Sequence, residues 1–538
     1  MNWKALNQTW HYVEKCAETK PEGEAFIFKN ERLQWKNFKE QMDRLAKGFL
    51  ETGIQIGDRV ALISMARNEF PLTYMAANKV GAMWLGLSPK YSLDEFRYMI
   101  SDSRPKIIFS LREYMDTDLT QTLEQIKDEF SFIKKMVVIG EPIEGTEGYD
   151  EFISNPRDQL NEALEKRSEE VKEQDDALLL YTSGSTGKPK GVIHTHQSIL
   201  SNIRIQNKKF ETRPYHKLAC PFPINHVASA TEHIIPVIME GCTSYLLDKF
   251  DPAEMLNLLE SEGISCLGGM PVMFILEMKL SEFATTDFSK VESFIWSGAA
   301  APKPMLDTLQ AISRKTDTLM YTGYGSTEMA GFVTYTEKGD DLEILQKSAG
   351  KIAAPFELKI VDEERNELPD GKVGEIAVRG PFLMKGYLNK PEETAKVIDK
   401  DGWYYSSDLA YKDDRGYIYL TGRKSEMFKT GGENVFPLEI EDILTTHESV
   451  FFAAVIGVPD DTFQEVGWAF IMLQPGTSVT EEELKKYCKS RLANFKVPKR
   501  FFIREMLPLT PSGKVHKITL KKEIDKIFKQ EKNMSSGS

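Results

Sequence analysis

Several features that mark membrane and secreted proteins are missing from this chain of 538 residues. No apolar run approaches the roughly 20 residues that are needed to span a bilayer. The residues from Met1 to Gln8 lead into charged sequence and lack the apolar core of a signal peptide. These absences predict a protein without a transmembrane segment that is located in the cytoplasm.

Cysteine is scarce, and acidic residues outnumber basic ones. There are five cysteines, an odd number, and no two of them form a Cys-x-x-Cys pair. They are Cys16, Cys220, Cys242, Cys266 and Cys488. Their scatter indicates reduced thiols and argues against a zinc site. A net charge of −13 disfavours a general nucleic-acid-binding role, so a site for an anion needs a local cluster of positive charge.

The composition is that of a folded protein, with 41% apolar and 28% charged residues. A chain of this length is too long for one hydrophobic core and is expected to form about three domain-sized units. Apolar runs typical of strands occur at 58–64, 105–110, 136–140, 218–222, 242–247, 264–268 and 294–297. Helical spacing occurs between them, at 38–50, 72–83 and 252–261. This alternation predicts an α/β fold with doubly wound sheets of parallel strands.

The chain changes character after about residue 370. Short strands and turn residues over 371–420 predict a β-rich subdomain. A separate α+β lobe is predicted after it, in which Pro437 marks a helix start and Thr480 to Glu483 form a capping box. The predicted units are 1–424, 425–529 and a disordered tail at 530–538.

The stretch from Tyr181 to Val192 carries the strongest sign of a function. It follows a buried-strand pattern and combines glycines, hydroxyls and lysines. Glycines let backbone N–H groups approach an anion, hydroxyls donate hydrogen bonds, and lysines supply positive charge. The residues predicted to hold a polyphosphate are Thr182, Ser183, Gly184, Ser185, Thr186, Gly187 and Lys188. The spacing is not that of a Walker A loop, and a mobile Ser/Gly linker is the alternative interpretation.

A second nucleotide-binding pattern occurs between Tyr321 and Glu328. Tyr324 is suited to stack on a base, Thr327 to donate to a phosphate, and Glu328 to hold Mg²⁺. The alternative is an ordinary turn at the end of a strand with a surface glutamate. A third pattern, at Gly402 to Asp408, presents a carboxylate that is a natural acceptor for ribose hydroxyls.

These stretches resemble the adenylate-forming superfamily, which comprises acyl-CoA synthetases, the adenylation domains of peptide synthetases, and luciferases. Residues 181–192 resemble its phosphate loop, and residues 321–328 resemble its Tyr-Gly-x-Thr-Glu signature. The matches are colinear and extend from about residue 25 to 520. The resemblance implies a large N-terminal domain, a small mobile C-terminal domain with a hinge near Ser425, and a site for ATP, CoA and Mg²⁺.

The resemblance also implies which residues surround the nucleotide. Thr327 and Glu328 are expected to be catalytic, with Glu328 as the metal ligand. Those expected to contact the cofactors, besides the phosphate stretch, are Ser297, Gly298, Ala299, Gly323, Tyr324, Gly325, Asp408, Arg423, Lys429, Gly431 and Gly432. Ser407 stands where the family usually has Gly before the ribose-binding Asp408, and its Cβ is expected to alter the local turn.

Two segments of the predicted lobe resemble moving parts of the family. Lys429, Gly431 and Gly432 fall in a loop that is expected to close over a thioester-forming tunnel, and a simple hairpin turn is the competing interpretation. Lys514 matches the catalytic lysine, a point charge carried into the site. The family often has Arg where Lys517 stands.

The residues that face the acid are implied by three comparisons with the family. His226 resembles the aromatic residue or histidine that gates the acid, with a packed loop residue as the alternative. Gly325 stands where acetate-specific relatives carry Trp, so acetate is not expected. Val227 stands where amino-acid-activating relatives place an Asp. A medium- or long-chain fatty acid, or an aryl or alicyclic acid, is left as the substrate.

The resemblance therefore implies an AMP-forming acyl-CoA ligase, in which an acid reacts first with ATP to form an acyl-adenylate and then with CoA. One alternative is an adenylating enzyme that passes the acyl group to a carrier protein or another acceptor. The other is a non-catalytic nucleotide-binding protein. The expected partners are a small carboxylic acid, ATP and CoA, with no nucleic acid, and a homodimer is left open.

Overall fold

The computed structural model describes residues 6–182, 188–474, 476–508 and 515–535, with residues 531–535 through their backbone alone. The first strands are β1 (Glu24–Phe28), β2 (Glu31–Gln34), β3 (Arg59–Ile63), β4 (Met83–Leu87), β5 (Ile107–Leu111), β6 (Glu113–Tyr114), β7 (Thr117–Asp118), β8 (Lys135–Ile139), β9 (Glu147–Gly148), β10 (Asp176–Thr182) and β11 (Lys190–Thr195). The first helices are α1 (His11–Thr19), α2 (Trp35–Glu51), α3 (Glu69–Lys79), α4 (Leu93–Ser103), α5 (Thr120–Glu129), α6 (Tyr149–Ser154), α7 (Asn161–Glu170) and α8 (His196–Lys209).

The middle of the chain continues the alternation of strands and helices. Its strands are β12 (Lys217–Cys220), β13 (Thr243–Leu246), β14 (Cys266–Gly269), β15 (Ser293–Trp296), β16 (Leu319–Ser326), β17 (Gly331–Tyr335) and β18 (Lys351–Ile352). Its helices are α9 (Val227–Ala230), α10 (Ile234–Glu240), α11 (Pro252–Ser261), α12 (Pro271–Met278), α13 (Lys303–Thr316) and α14 (Leu342–Lys347).

The last third of the chain holds smaller sheets. The strands are β19 (Glu357–Val361), β20 (Gly374–Arg379), β21 (Gly386–Tyr387), β22 (Tyr404–Lys412), β23 (Ile418–Arg423), β24 (Phe428–Thr430), β25 (Glu433–Val435), β26 (Val450–Asp460), β27 (Gln464–Leu473) and β28 (Arg500–Arg504). The helices are α15 (Pro391–Val397), α16 (Pro437–Thr445), α17 (Glu481–Lys489) and α18 (Lys517–Ser535).

Two large sheets form the body of the molecule. One has the order β18-β17-β16-β15-β14-β12-β13-β1-β2, and the other has the order β21-β11-β10-β4-β3-β5-β8-β9. Neighbours from β16 to β1 in the first sheet and from β10 to β9 in the second are parallel. Strands from both sheets and helices α2, α3, α8 and α10 share one apolar core. The prediction of an α/β fold with doubly wound sheets is confirmed.

A smaller antiparallel sheet, β19-β20-β22-β23, forms the predicted β-rich subdomain. It begins at Glu357 and ends at Arg423, and is therefore longer than the predicted span of 371–420. The terminal lobe begins at β24 and has its own sheet, in which β27 lies between β26 and β28. Its core is separate from that of the body, as expected for an independent lobe.

The structure corrects several predicted boundaries. The helix predicted at 72–83 ends at Lys79, because Gly81 adopts a φ of 75° and the chain then enters β4 at Met83. The tail predicted at 530–538 begins inside α18, whose backbone continues to Ser535. Strand β11, which no sequence pattern indicated, precedes helix α8. Six residues that alternate weakly in polarity give little strand signal of their own.

Candidate active site

The described ends of the predicted phosphate stretch belong to a β-hairpin that strands β10 and β11 form. Strands β10 and β11 pair antiparallel, with Thr182 opposite Lys190. A Walker A loop instead joins a strand to a helix, so the predicted phosphate stretch differs from it in its flanking elements as well as in spacing. Ser183, Gly184, Ser185, Thr186 and Gly187 lie outside the described residues. Lys188, the first described residue after them, is exposed, with its ammonium 5.4 Å from the centroid of the Tyr98 ring.

A buried histidine ties this hairpin to the second motif. His194 of β11 lies 2.6 Å, through Nε2, from the backbone oxygen of Thr327, and its Nδ1 lies 3.1 Å from Ser198 Oγ. Because a carbonyl oxygen only accepts, Nε2 carries the proton of the neutral ring. Burial lowers the pKa of His194 to about 4, and the bond to Thr327 opposes this shift. The ring is therefore neutral near pH 7. Its bond joins strand β11, two residues after the first motif, to the motif at 321–328.

Glu328 lies in the turn between β16 and β17. The Tyr387 hydroxyl donates to Glu328 Oε1 over 3.1 Å, and Met384 N donates to the Glu328 backbone oxygen over 2.8 Å. Within the described part of the chain, Glu328 Oε2 makes no hydrogen bond. Mg²⁺ is commonly held by one or two carboxylates together with substrate phosphates and water. A partly exposed carboxylate with one oxygen anchored and the other unused fits that role.

Two residues from other strands, Tyr324 of β16 and Arg423 of β23, converge on Asp408 of β22. The Tyr324 hydroxyl donates to Asp408 Oδ2 over 2.6 Å, and Arg423 Nε lies 3.1 Å from Asp408 Oδ1. Asp408 raises the pKa of the Arg423 guanidinium through its charge. Each carboxylate oxygen has two lone pairs, so acceptor capacity is left for hydroxyl groups of a ligand. The ring of Tyr324 is 7% exposed, and its predicted stacking on a base stays a prediction.

Ser407 occupies the position where the family usually has Gly, and its backbone is strained. Its φ is 64°, in the left-handed region that costs a residue with a Cβ about 1–2 kcal/mol. The turn is held by Glu375 Oε1, which accepts from Ser407 N over 2.9 Å, and by Lys424 N, which donates to the Ser407 oxygen over 2.9 Å. The serine therefore adopts a backbone conformation that suits glycine, and whether its Cβ changes the turn relative to other members of the family stays a prediction.

The segment after β15 lies beside the end of β16. Ser297 Oγ donates to the backbone oxygen of Gly323 over 3.3 Å, and Gly298 and Ala299 are exposed. In parallel sheets, ligands bind in the crevice at the carboxyl ends of the strands. The position of these residues is compatible with the predicted lining of the nucleotide and acid sites, and their contacts with ligands stay predictions.

The backbone of β17 explains why residue 325 is glycine, and the sequence argument about acetate did not consider it. A Cβ on Gly325 would lie 2.0 Å from the Gly331 oxygen and 2.8 Å from Phe332 Cα, both on β17. The close approach of β16 and β17 therefore requires glycine here. The missing side chain does not point into open space, so the argument that it leaves room for a larger acid loses its geometric basis.

His226 has a local structural role. Its Nδ1 accepts from Ala228 N over 3.1 Å, so it caps the short helix α9 after β12. This bond favours the tautomer with the proton on Nε2. The helix cap explains the contact of Nδ1. The contact of His226 with the acid stays a prediction.

The predicted mobile loop of the lobe is a tight hairpin in this structure. Gly431 and Gly432, with φ of 59° and 90°, join β24 to β25. Positive φ at both central residues is the requirement of a type I′ turn. Lys429 N donates to Glu465 Oε2, and Gly431 N donates to the Phe463 oxygen, so this hairpin is attached to the lobe sheet. Lys514 lies outside the described residues.

Two residues that support the site were not found by sequence reasoning. His194 and Tyr387 hold Thr327 and Glu328 from β11 and β21, across sequence separations of more than 50 residues. Neither residue falls in a motif with glycine or charged neighbours at fixed spacing. Only the pairing of β11 with β21 brings them to the same turn.

The comparisons with known proteins place the chain in a family. Residues 13–388 match the model of the AMP-binding enzymes, and residues 439–514 match the AMP-binding enzyme C-terminal domain. The chain therefore belongs to the AMP-binding, or adenylate-forming, enzymes.

Its relatives narrow this assignment. The chain is 30% identical over 543 residues to the putative acyl-CoA synthetase YngI of Bacillus subtilis, covering 98% of each. It is 31% identical over 485 residues to the medium-chain fatty-acid–CoA ligase of Escherichia coli, covering 89% of this chain and 84% of that one. The ATP-bound structure of MatB from Rhodopseudomonas palustris superposes with a TM-score of 0.82 at 26% identity, over 97% and 100% of the two chains. The protein is an acid–thiol ligase of the acyl-CoA synthetase branch of this family.

Among the described residues, no helix has the length and apolar character of a membrane span.

Proposed function

We propose that this enzyme activates a medium- or long-chain fatty acid, or an aryl or alicyclic acid, and transfers it to CoA through an acyl-adenylate. The observation that carries the proposal is the convergence on Asp408, where Tyr324 and Arg423 meet one carboxylate from separate strands. A carboxylate with spare acceptor capacity beside a buried tyrosine and a cation is suited to the ribose of a nucleotide. The link from His194 to Thr327 supports the same conclusion, because it joins the phosphate hairpin to the second motif.

In the first step, a substrate carboxylate oxygen attacks the α-phosphorus of ATP, and pyrophosphate leaves. Asp408 would hold the ribose hydroxyls, while Arg423 and Thr327 would bind the phosphate oxygens. The phosphate stretch around Thr182 and Lys188 would hold the β- and γ-phosphates. Lys514, brought in by the lobe, would stabilise the negative charge that develops on the transferring group.

The proposed metal site rests on one carboxylate. Glu328 is the residue that would hold Mg²⁺, and the ion would supply neutralisation of phosphate charge. Tyr387 would orient Glu328 by its hydrogen bond to Oε1, which leaves Oε2 for the metal.

In the second step, the CoA thiolate attacks the acyl carbonyl and AMP leaves. We infer that the lobe turns about Ser425, an exposed turn residue between β23 and β24, so that the Gly431–Gly432 hairpin faces the thiol. The reaction forms a thioester bond and breaks the mixed anhydride. The phosphate of AMP takes the electron pair.

The class of acid rests on the relatives and on Val227. Relatives over most of the chain are named as ligases for medium-chain fatty acids. Val227 is buried and apolar where an amino-acid-activating enzyme would need a carboxylate for the ammonium group. His226, directly before it, is the candidate gate beside the acid.

A panel of acids tests the proposal. Acids from acetate to long chains, with benzoate and cyclohexanecarboxylate, are incubated with Mg·ATP, with and without CoA, and AMP release is measured. CoA-dependent AMP release with an acid larger than acetate is expected. AMP release that does not depend on CoA would indicate an adenylating enzyme with another acyl acceptor. Absence of acid-dependent ATP–pyrophosphate exchange would indicate a nucleotide-binding protein without catalysis.

Two substitutions separate the half-reactions. Lys514→Ala should reduce ATP–pyrophosphate exchange far more than thioester formation from supplied acyl-adenylate. Gly432→Leu should do the reverse, because the bulky side chain is placed on the hairpin proposed to face the thiol. Gly476→Leu is a matched control, since it is also an open glycine with positive φ in the lobe. Equal losses in both half-reactions would contradict the assignments.

A further inference from the structure

A partly buried ammonium group joins three segments of the terminal lobe. Lys517 is the first residue of α18, and its Nζ lies 2.5 Å from Glu426 Oε2 and 2.8 Å from Glu441 Oε1. The side chain of Lys517 is 20% exposed, and that of Glu441 is 13% exposed. Glu441 Oε1 also accepts from Val455 N over 2.7 Å, so this carboxylate is fixed to β26. We call Lys517, Glu426 and Glu441 the hinge clasp.

The clasp begins directly after the predicted hinge. Glu426 follows Ser425, and its backbone N donates to the Arg423 oxygen over 3.0 Å. Arg423 in turn is paired with Asp408. A continuous series of polar contacts therefore leads from the carboxylate proposed for the ribose, through the hinge, to Lys517.

The hinge clasp also lies next to residues 508 and 516, described residues that flank the segment containing Lys514. His516 N donates to the Pro508 oxygen over 2.7 Å, and so brings the described ends of that segment together. Leu507 is buried in an apolar cluster of the lobe, and Val515 packs against the same cluster. Lys517 is thus the polar anchor at the carboxyl-side end of residues 509–514.

The two carboxylates favour the charged form of Lys517, which maintains the ion pairs of the hinge clasp. Burial disfavours the charged form of Lys517, but Glu441 and Glu426 outweigh it and raise the pKa of the ammonium. The lysine therefore remains protonated over the range in which the enzyme is expected to work. Without it, two carboxylates would share a poorly solvated site with no counter-charge, which is strongly unfavourable.

We propose that Lys517 is a positioning residue, which fixes residues 515–517 to the chain immediately after the hinge and so sets where the lobe presents Lys514. The inference rests on the proposed function, because it assumes that Lys514 acts in adenylation. Within the described part of the chain, Lys517 pairs with Glu426 and Glu441 and makes no hydrogen bond to Tyr324, Asp408 or Arg423. Substitution of an ordinary surface lysine would not reduce one half-reaction while leaving the other intact.

Lys517→Met tests the inference, with Lys521→Met as the matched control on the exposed face of the same helix. In Lys517→Met, kcat for ATP–pyrophosphate exchange should fall by roughly 10- to 100-fold, since a displacement of about 1 Å has effects of that size. KM for ATP should stay within about threefold, because the ribose cluster is untouched. Thioester formation from supplied acyl-adenylate should fall less. Lys521→Met should behave as the unsubstituted enzyme.

Lys517→Arg provides the conservative rescue, because a guanidinium can bridge two carboxylates. It should restore most of the exchange rate. If Lys517→Met does not fold, Glu426→Gln, which removes one contact and no cation, should show the same selective loss of exchange. Loss of both half-reactions to the same degree, or no loss in either, would overturn the proposed role. Failure of the unsubstituted enzyme to catalyse exchange with any acid would instead contradict the proposed function.

Discussion

Glu277 allows a prediction about stability that does not depend on the proposed chemistry. It lies on the buried face of α12, with Met273 and Phe274, and is 2% exposed. Its Oε2 has no hydrogen-bond partner among the described residues. Burial raises the pKa of this carboxyl from 4.5 to about 8. A buried acid without a partner is expected to destabilise the fold once it ionises.

The direction and size follow from the linkage between protonation and folding. Because the folded pKa lies above the unfolded value, this site favours folding most below pH 4.5, and that stability is lost as the pH rises toward 8. At 1.36 kcal/mol per pH unit, the full loss is roughly 5 kcal/mol, and about 4 kcal/mol is lost by pH 7.5. Glu277→Gln keeps the shape and removes the ionisation. It should therefore be more stable than the original chain at alkaline pH and nearly equal to it near pH 4.5.

Thermal melting at several pH values is the assay. For a cooperative unit of about 400 residues, a gain of this size raises the melting temperature by about 5 °C. The difference between Glu277→Gln and the original chain should grow from about pH 5 to about pH 8.5. Glu124→Gln, on the exposed face of α5, is the matched control and should show no such trend. A constant difference at all pH values, or a less stable variant at pH 8.5, would refute the reasoning.

Three further outcomes follow from local geometry. Ser407→Gly should raise stability by up to about 1 kcal/mol, because it relieves the left-handed backbone strain, and a lower melting temperature would contradict this. Gly325→Ala should lower the free energy of unfolding by about 3 kcal/mol or more, because its Cβ would collide with the backbone of β17. Gly148→Ala is the control: the atom nearest to its Cβ would be 3.9 Å away, so thermal unfolding should change little. Tyr387→Phe should lower pyrophosphate exchange roughly tenfold by releasing Glu328, with unfolding changed little; exchange at the original rate would show that the hydrogen bond is not needed.

Local sequence was sufficient for the α/β class and for central strands of the two large sheets, and it singled out the stretches predicted to bind a nucleotide. Strands such as β3 and β5 are short, continuously apolar and buried, which gives a strong pattern in one dimension. The capping box at Thr480 was predicted from spacing alone and is present, because both of its hydrogen bonds join residues three positions apart.

The tertiary structure alone decided which residues support the site. His194 reaches Thr327, and Tyr387 reaches Glu328, only because β11 lies between β10 and β21 in the sheet. The requirement for glycine at position 325 likewise could not be predicted from the sequence, because it depends on how closely β17 approaches β16. Residue types and short spacings determine what chemistry a segment can perform. The pairing of distant strands determines which side chains hold that chemistry in place, because contacts across a sheet leave no periodic signal along the chain.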